Sequence, residues 1–259
     1  YSYSWAPGGQ TTSSITGLCA GGYTVTATDC NGCTITQSFN ITQPPLLTAS
    51  ITAQTNLTCN ASCIGTATVS AVGGTTVPCG GYSYSWNTVP AQTTITATGL
   101  CAQSYTATVT DCNGCTSTAV VTITQPPVLS ITPSQTNLNC NAVCIGAASV
   151  VVSGGTTVPC GGYSYSWAPG GQTTSGITGL CAGGYTVTVT DCNGCTITQS
   201  FNITQPPGLT LSTSQTNLLC NSVCTGVAGV SVIGGVAPFT YLWAPGGQTT
   251  PTIIGQCAG

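Results

Sequence analysis

The side chains that could carry chemistry in this chain are 18 cysteines and three aspartates, Asp29, Asp111 and Asp191. The sequence has no Lys, Arg, His or Glu. General acid–base catalysis needs a group tuned toward neutral pH, usually His, Glu, Asp or Lys, and three of those four are missing. A Ser or Cys nucleophile would have no adjacent base. Phosphate and nucleic acid are gripped by Lys and Arg, as are anionic membrane surfaces, so those partners are excluded. With 1% charged residues against roughly 25% in an average chain, the composition is far from that of an ordinary enzyme. The expectation is a protein with no catalytic residues, no cofactor and no metal.

Cysteine at this density means disulfides or zinc. Zinc sites pair Cys with His or use paired C-x-x-C knuckles. Here C-x-x-C occurs once per repeat, as Cys30/Cys33, Cys112/Cys115 and Cys192/Cys195. Disulfides are the better reading, and they place the protein in an oxidising compartment, outside the cell or on its surface. No apolar run is long enough for a membrane helix, so direct membrane insertion is not expected. The chain opens in a strand-like run, Tyr1-Ser2-Tyr3-Ser4-Trp5, and closes in a loop-like one, which reads as an internal stretch of a longer polypeptide.

The elements that must position these cysteines repeat. Trp recurs at 5, 86, 167 and 243; T-D-C-N-G-C recurs at 28–33, 110–115 and 190–195; Gln-Pro-Pro recurs at 43–45, 125–127 and 205–207. A period of about 80 residues means tandem modules. Proline cannot donate to a ladder and biases the residue before it toward extended structure, so Pro44, Pro45, Pro126, Pro127, Pro206 and Pro207 read as linkers. The expected segments are 1–43, the C-terminal part of a module; 46–125 and 128–205, complete modules; and 208–259, the N-terminal part of another. Thr, Val, Ile and Tyr dominate each segment, punctuated by Gly, Asn and Pro, with no helical periodicity. In 46–125 strands are expected at 46–52, 65–72, 82–86, 93–98, 105–110 and 115–124. The fold class is therefore all-β: a tandem array of small Ig-like β-sandwich modules, about 80 residues each, disulfide-stapled because so small a core holds itself poorly.

Six cysteines in a module allow fifteen connectivities. The fourth module replaces the insert around Cys79 with Val236-Ala237-Pro238 yet keeps Cys257, the counterpart of Cys101. Cys79 is thus not expected to pair with Cys101. In a seven-stranded sandwich the loop before Tyr82 and the turn at 111–114 share one end, which points to Cys79–Cys112 and, by repetition, Cys160–Cys192. Cys59–Cys115 and Cys63–Cys101 are the favoured use of the remaining four, with Cys140–Cys195 and Cys144–Cys181 as counterparts.

Other features have ordinary structural readings. Tyr82, Tyr84 and Trp86 face one way at period two. They could form a sugar-stacking platform, but Phe239 replaces the first Tyr in the fourth module, which favours packing. Trp5, Trp86, Trp167 and Trp243 are expected in cores. Asp-Cys-Asn-Gly is a turn signal, and one Asp per module is poor provision for calcium. Tyr23, Tyr105 and Tyr185, each opening a strand after a loop, suit the tyrosine corner of Greek-key sandwiches and are expected in cores too.

Taken in order, C-N-x-x-C-x-G, G-G, Y-S-Y-S-W, G-L-C-A, Y-T-x-T-V-T-D-x-N-G-C-T and I-T-Q-P resemble the SprB repeat of large surface adhesins of gliding Bacteroidetes. The resemblance implies an Ig-like sandwich, export by the type IX system and long cell-surface filaments serving adhesion and gliding. It also implies pairing of the cysteines at 59 and 115. The extra cysteines at 79 and 112 and the absence of Lys and Arg depart from that family. The functional expectation is a structural stalk segment. Its partners would be neighbouring modules and other copies of the chain. Glycan binding through the Tyr/Trp face is the alternative.

Overall fold

The computed structural model describes residues 1–257; the last two residues of the expected segment 208–259 lie outside them. The described residues form strands and loops without helix. They divide into two compact units: Tyr1–Leu57 with Cys63–Thr124, and Thr58–Ser62 with residues 125 onward. The five-residue loop 58–62 thus belongs to the second unit, although the strands on either side of it belong to the first.

In the first unit, β1 (Ser2–Ala6), β2 (Gly21–Thr28) and β3 (Thr34–Ile41) form one antiparallel sheet. Next come β4 (Thr48–Thr55), β5 (Gly65–Val72), β6 (Ser83–Trp86), β7 (Thr96–Leu100), β8 (Ser104–Thr110) and β9 (Thr116–Thr122). They pair as β4-β5-β7 and β6-β8-β9. The first, second and fourth strands make one layer and the third, fifth and sixth the other. This is the Ig-type Greek-key order, built from the six strands expected for 46–125. β5, β8 and β9 bury alternate residues: Ala67 and Val69 from β5, Tyr105, Ala107 and Val109 from β8, Ala119 and Val121 from β9. Together with Trp86, Leu57, Leu100 and Ile123 they make one core between the layers.

Two strand positions differ from the sequence reading for a local reason. The segment expected at 93–98 pairs only from Thr96. Before that point the chain serves Trp86, whose backbone N–H bonds to Gln92 O and whose Nε1 donates to Thr94 O at 3.0 Å. The first strand begins at Thr48, because Pro44-Pro45 has no amide hydrogens to offer a ladder, and it runs on to Thr55 through an irregularity at Ile51/Ala53.

The second unit repeats the plan. β10 (Ser130–Thr136), β11 (Gly146–Ser153) and β13 (Gly176–Leu180) face β12 (Ser164–Ala168), β14 (Gly183–Thr190) and β15 (Thr196–Ile203) across a core containing Trp167, Val187, Val189, Phe201 and Ile203. A last sheet joins β16 (Thr210–Thr216), β17 (Gly226–Ile233) and β18 (Thr252–Gln256).

The core expectations hold unevenly across the copies. Trp86 and Trp167 are each 1% exposed and Trp5 is 8% exposed. Trp243 is a correction: it is only half-buried. Residues 239–243 form no strand, and Leu209, Leu211, Val230 and Trp243 line a cleft on this sheet. Tyr105 is buried, whereas Tyr23 and Tyr185 are half-buried at the rims of their sheets.

Candidate functional site

Asp111, Cys79 and Cys112, and their counterparts Asp191, Cys160 and Cys192, meet at the D-C-N-G-C hairpins between β8 and β9 and between β14 and β15. Asp111 is the centre of the first. Its Oδ1 accepts from the backbone N–H of Asn113 (3.0 Å) and Cys115 (2.8 Å), and its Oδ2 from Thr75 N–H (2.8 Å). Asp191 repeats this with Asn193, Cys195 and Thr156, all at 2.9 Å. Both carboxylates are held below the usual aspartate range. For Asp111 the Thr75 N–H is the main cause, outweighing desolvation with help from Cys115 and Asn113. For Asp191 burial pushes upward most strongly, but the combined N–H groups of Thr156, Cys195, Asn193 and Gly194 prevail. Hydrogen bonding to the charged form has that sign. Carboxylates whose oxygens are used this way organise a turn; they are not presented to a substrate.

The same hairpins carry sulfur. Cys79 is bonded to Cys112 and Cys160 to Cys192, tying the insert before β6 or β12 to the hairpin. Cys63–Cys101, Cys144–Cys181 and Cys224–Cys257 tie the start of the second strand's approach to the loop after the fourth. The aromatic hydroxyls brace these loops. Tyr105 Oη accepts from Cys101 N–H at 3.0 Å, and Tyr185 and Tyr23 donate to Cys181 O and Cys19 O. Tyr82 and Tyr163 donate to Gly73 O and Gly154 O at 2.7 Å.

The sixth bridge corrects the sequence reading. Cys59 is bonded to Cys195, with Cα atoms 5.7 Å apart and a sequence separation of 136. The expected Cys59–Cys115 and Cys140–Cys195 bridges are both absent; Cys115 and Cys140 are free and exposed, as are Cys19, Cys30, Cys33 and Cys220. The physical reason lies in the loop 58–62. Asn60 Nδ2 donates to Pro126 O (2.9 Å) and Ala61 N–H to Gln125 Oε1 (2.9 Å), with Ala61 in the left-handed region. The loop is thereby fixed to the Gln-Pro-Pro linker, which delivers Cys59 to the hairpin of the following repeat. There Asn193 Nδ2 donates to Thr58 O at 2.8 Å. The C-x-x-C sulfurs therefore part company: Cys192 bonds within its own repeat and Cys195 bonds to the one before. Among the described residues no three metal-ligating side chains come together.

Residues 212–248 match the family model of the SprB repeat. The matched stretch covers less than half of the chain, and the Trp and Gly-Gly signals within it recur in the other repeats. No curated protein matches the sequence. Among solved structures, the immunoglobulin domains 1–5 of Sidekick-1 align with 90% of this chain at 15% identity and a TM-score of 0.28. This chain spans 60% of that structure. A tetra-tandem repeat from the extending region of a large adhesion protein aligns with 99% of the chain and is covered to 83%, at 15% identity and a TM-score of 0.28.

The bridge between repeats is what sequence reasoning missed. In a periodic chain every repeat offers a Cys59-type and a Cys115-type thiol. Pairing within a repeat and pairing with the next one use the same residue types in the same numbers, so composition and spacing do not separate them.

Proposed function

We propose that this chain is a load-bearing stretch of a cell-surface adhesin filament. The single observation that carries the reading is the Cys59–Cys195 bridge. Tension entering before Cys59 and leaving after Cys195 crosses one S–S bond, so the residues between are relieved of it. The strands from β5 to β14 are then shielded while the covalent line stays short. Four further bridges lie inside this loop and hold each core closed.

In this reading the modules are 1–43, 46–125, 128–205 and 208–259. Pro44, Pro45, Pro126, Pro127, Pro206 and Pro207 are the spacers, and neighbouring modules are the first partners. The similarity to SprB repeats supports the surface location. Type IX export and a part in gliding follow from that resemblance. The protein is non-catalytic: it has no His, Lys, Arg or Glu, and the Asp111 and Asp191 carboxylates are consumed by backbone N–H groups. Glycan binding through the Tyr/Trp face loses its platform, because Trp86 and Trp167 face inward.

The test is immunogold labelling of intact source cells with antibody against the chain. Label along surface-attached filaments supports the reading. Label confined to the cell interior, or to dispersed monomer in the medium, overturns it.

A further inference from the structure

The first unit carries the same hairpin as the second, with nothing seated on it. Around Cys115 the groove is lined by Gln43, Pro44, Pro45, Gly74, Asp111 and Thr116 and holds about 320 Å³. Its counterpart around Cys195 is lined by Pro126, Pro127, Gly155, Asp191 and Thr196, with Cys59 and Asn60 as further walls. The frames agree bond for bond. Gly74 N–H bonds to Pro45 O at 2.8 Å, and Gly155 N–H to Pro127 O at 2.9 Å. Cys112 N–H bonds to Thr75 O and Cys192 N–H to Thr156 O, both at 2.9 Å. Asn113 Nδ2 donates to Thr75 Oγ1 at 2.9 Å, and Asn193 Nδ2 to Thr156 Oγ1 at 3.0 Å. One bond has no counterpart: Asn193 also donates to the Thr58 carbonyl of the seated loop.

The complementary part is also present and also unpaired. In the loop that carries Cys140, Asn141 Nδ2 donates to Pro206 O (3.0 Å) and Ala142 N–H to Gln205 Oε1 (3.1 Å). Ala142 has φ 59°, the same value as Ala61. This loop is therefore set in the conformation of 58–62, with an exposed free thiol at its tip.

We infer that the groove at Cys115 is a docking and disulfide-forming site for the Cys-Asn loop of another repeat of this kind, and that the loop at Cys140 is a matching donor. The bridge seen once, Cys59 to Cys195, is one rung of a ladder in which the loop of each repeat joins the hairpin of the next. The chemistry is exchange with a small-molecule disulfide such as glutathione disulfide. The Cys115 thiolate attacks one of its sulfurs and releases glutathione thiolate; the loop thiolate then attacks the Cys115 sulfur and releases the second. Two protein thiols lose two protons and two electrons, and one glutathione disulfide becomes two glutathiones. Exchange proceeds through such a mixed disulfide. The inference deepens the filament reading but rests on the geometry of the bridge, so a failed trap would leave the surface location standing.

The experiment offers the oxidised 259-residue chain a peptide of residues 55–62, T-N-L-T-C-N-A-S, in glutathione buffer, and maps the adducts by mass. The one added hydrogen bond, from Asn113 to the loop carbonyl, is worth about 1 kcal/mol net, so Cys115 should carry about fivefold more peptide than Cys30 or Cys220. Asn113→Ala should erase that preference while leaving Cys115 open to iodoacetamide. Equal labelling of the exposed thiols, or a Cys59–Cys115 bridge in the mapped chain, would overturn the inference.

Discussion

Cys59→Ser should lengthen the fully stretched chain by about 210 Å. The covalent path sets the fully stretched length. In the wild-type chain a pull on the two ends crosses from Cys59 to Cys195 over 5.7 Å, and the 136-residue separation contributes nothing to extension. Cutting that bridge puts the segment under load, but Cys63–Cys101 and Cys144–Cys181 still remove 38 and 37 residues from the path. About 60 residues become newly extensible, at about 3.3–3.6 Å each. The assay is single-molecule force extension without reductant, with free thiols alkylated, comparing the contour length after the last unfolding event. If the bridges instead ran within repeats, as Cys59–Cys115 and Cys140–Cys195, the same substitution would free only about 18 residues, an increase of about 60 Å. A measured gain near the smaller figure, or none, would refute the load path and with it the argument for a stalk.

Two further outcomes are expected. Because the folded pKa values of Asp111 and Asp191 lie below the unfolded value, their contribution is present above about pH 4 and is lost as pH falls through the folded values. With no His, Glu or Lys to titrate, thermal melts should be flat between about pH 5 and 8 and drop in stronger acid; a chain as stable at pH 2 as at pH 7 contradicts this, and Asp111→Asn with Asp191→Asn should already melt lower at pH 7. Gly73→Ala should cost more than the roughly 1–3 kcal/mol of a strained backbone alone, because φ is +79° and its new Cβ would meet the Leu46 carbonyl. Gly114→Ala, at φ +83° with open space around it, should show the backbone cost by itself, and equal melting temperatures for the two variants would sink the comparison.

What was legible in the sequence was everything that depends on neighbours close along the chain. Alternation in Tyr105-Thr-Ala-Thr-Val-Thr gives β8 its inward Tyr105, Ala107 and Val109 because strand geometry fixes which side chains share a face. The hairpin at Asp111 was legible for the same reason: Asp accepts the backbone N–H groups that follow it. The half-buried state of Trp243 was not, since burial depends on a facing layer that residue type does not report, and residues 239–243 form no strand.

The bridge between repeats was illegible for a deeper reason, and the same reason gives it its use. A tandem sequence is unchanged when shifted by one repeat, so nothing local tells Cys59 whether to join the hairpin at Cys115 or the one at Cys195. The choice is made by the linker. Asn60 and Ala61 bond to Gln125 and Pro126, and this turns the loop toward the chain that follows. A bond made within a repeat would hold that repeat alone and leave the Gln-Pro-Pro linker to carry any pull. A bond made to the next repeat takes the linker itself out of the load path. The cysteine at position 59 thus protects the part of the chain that has no core of its own.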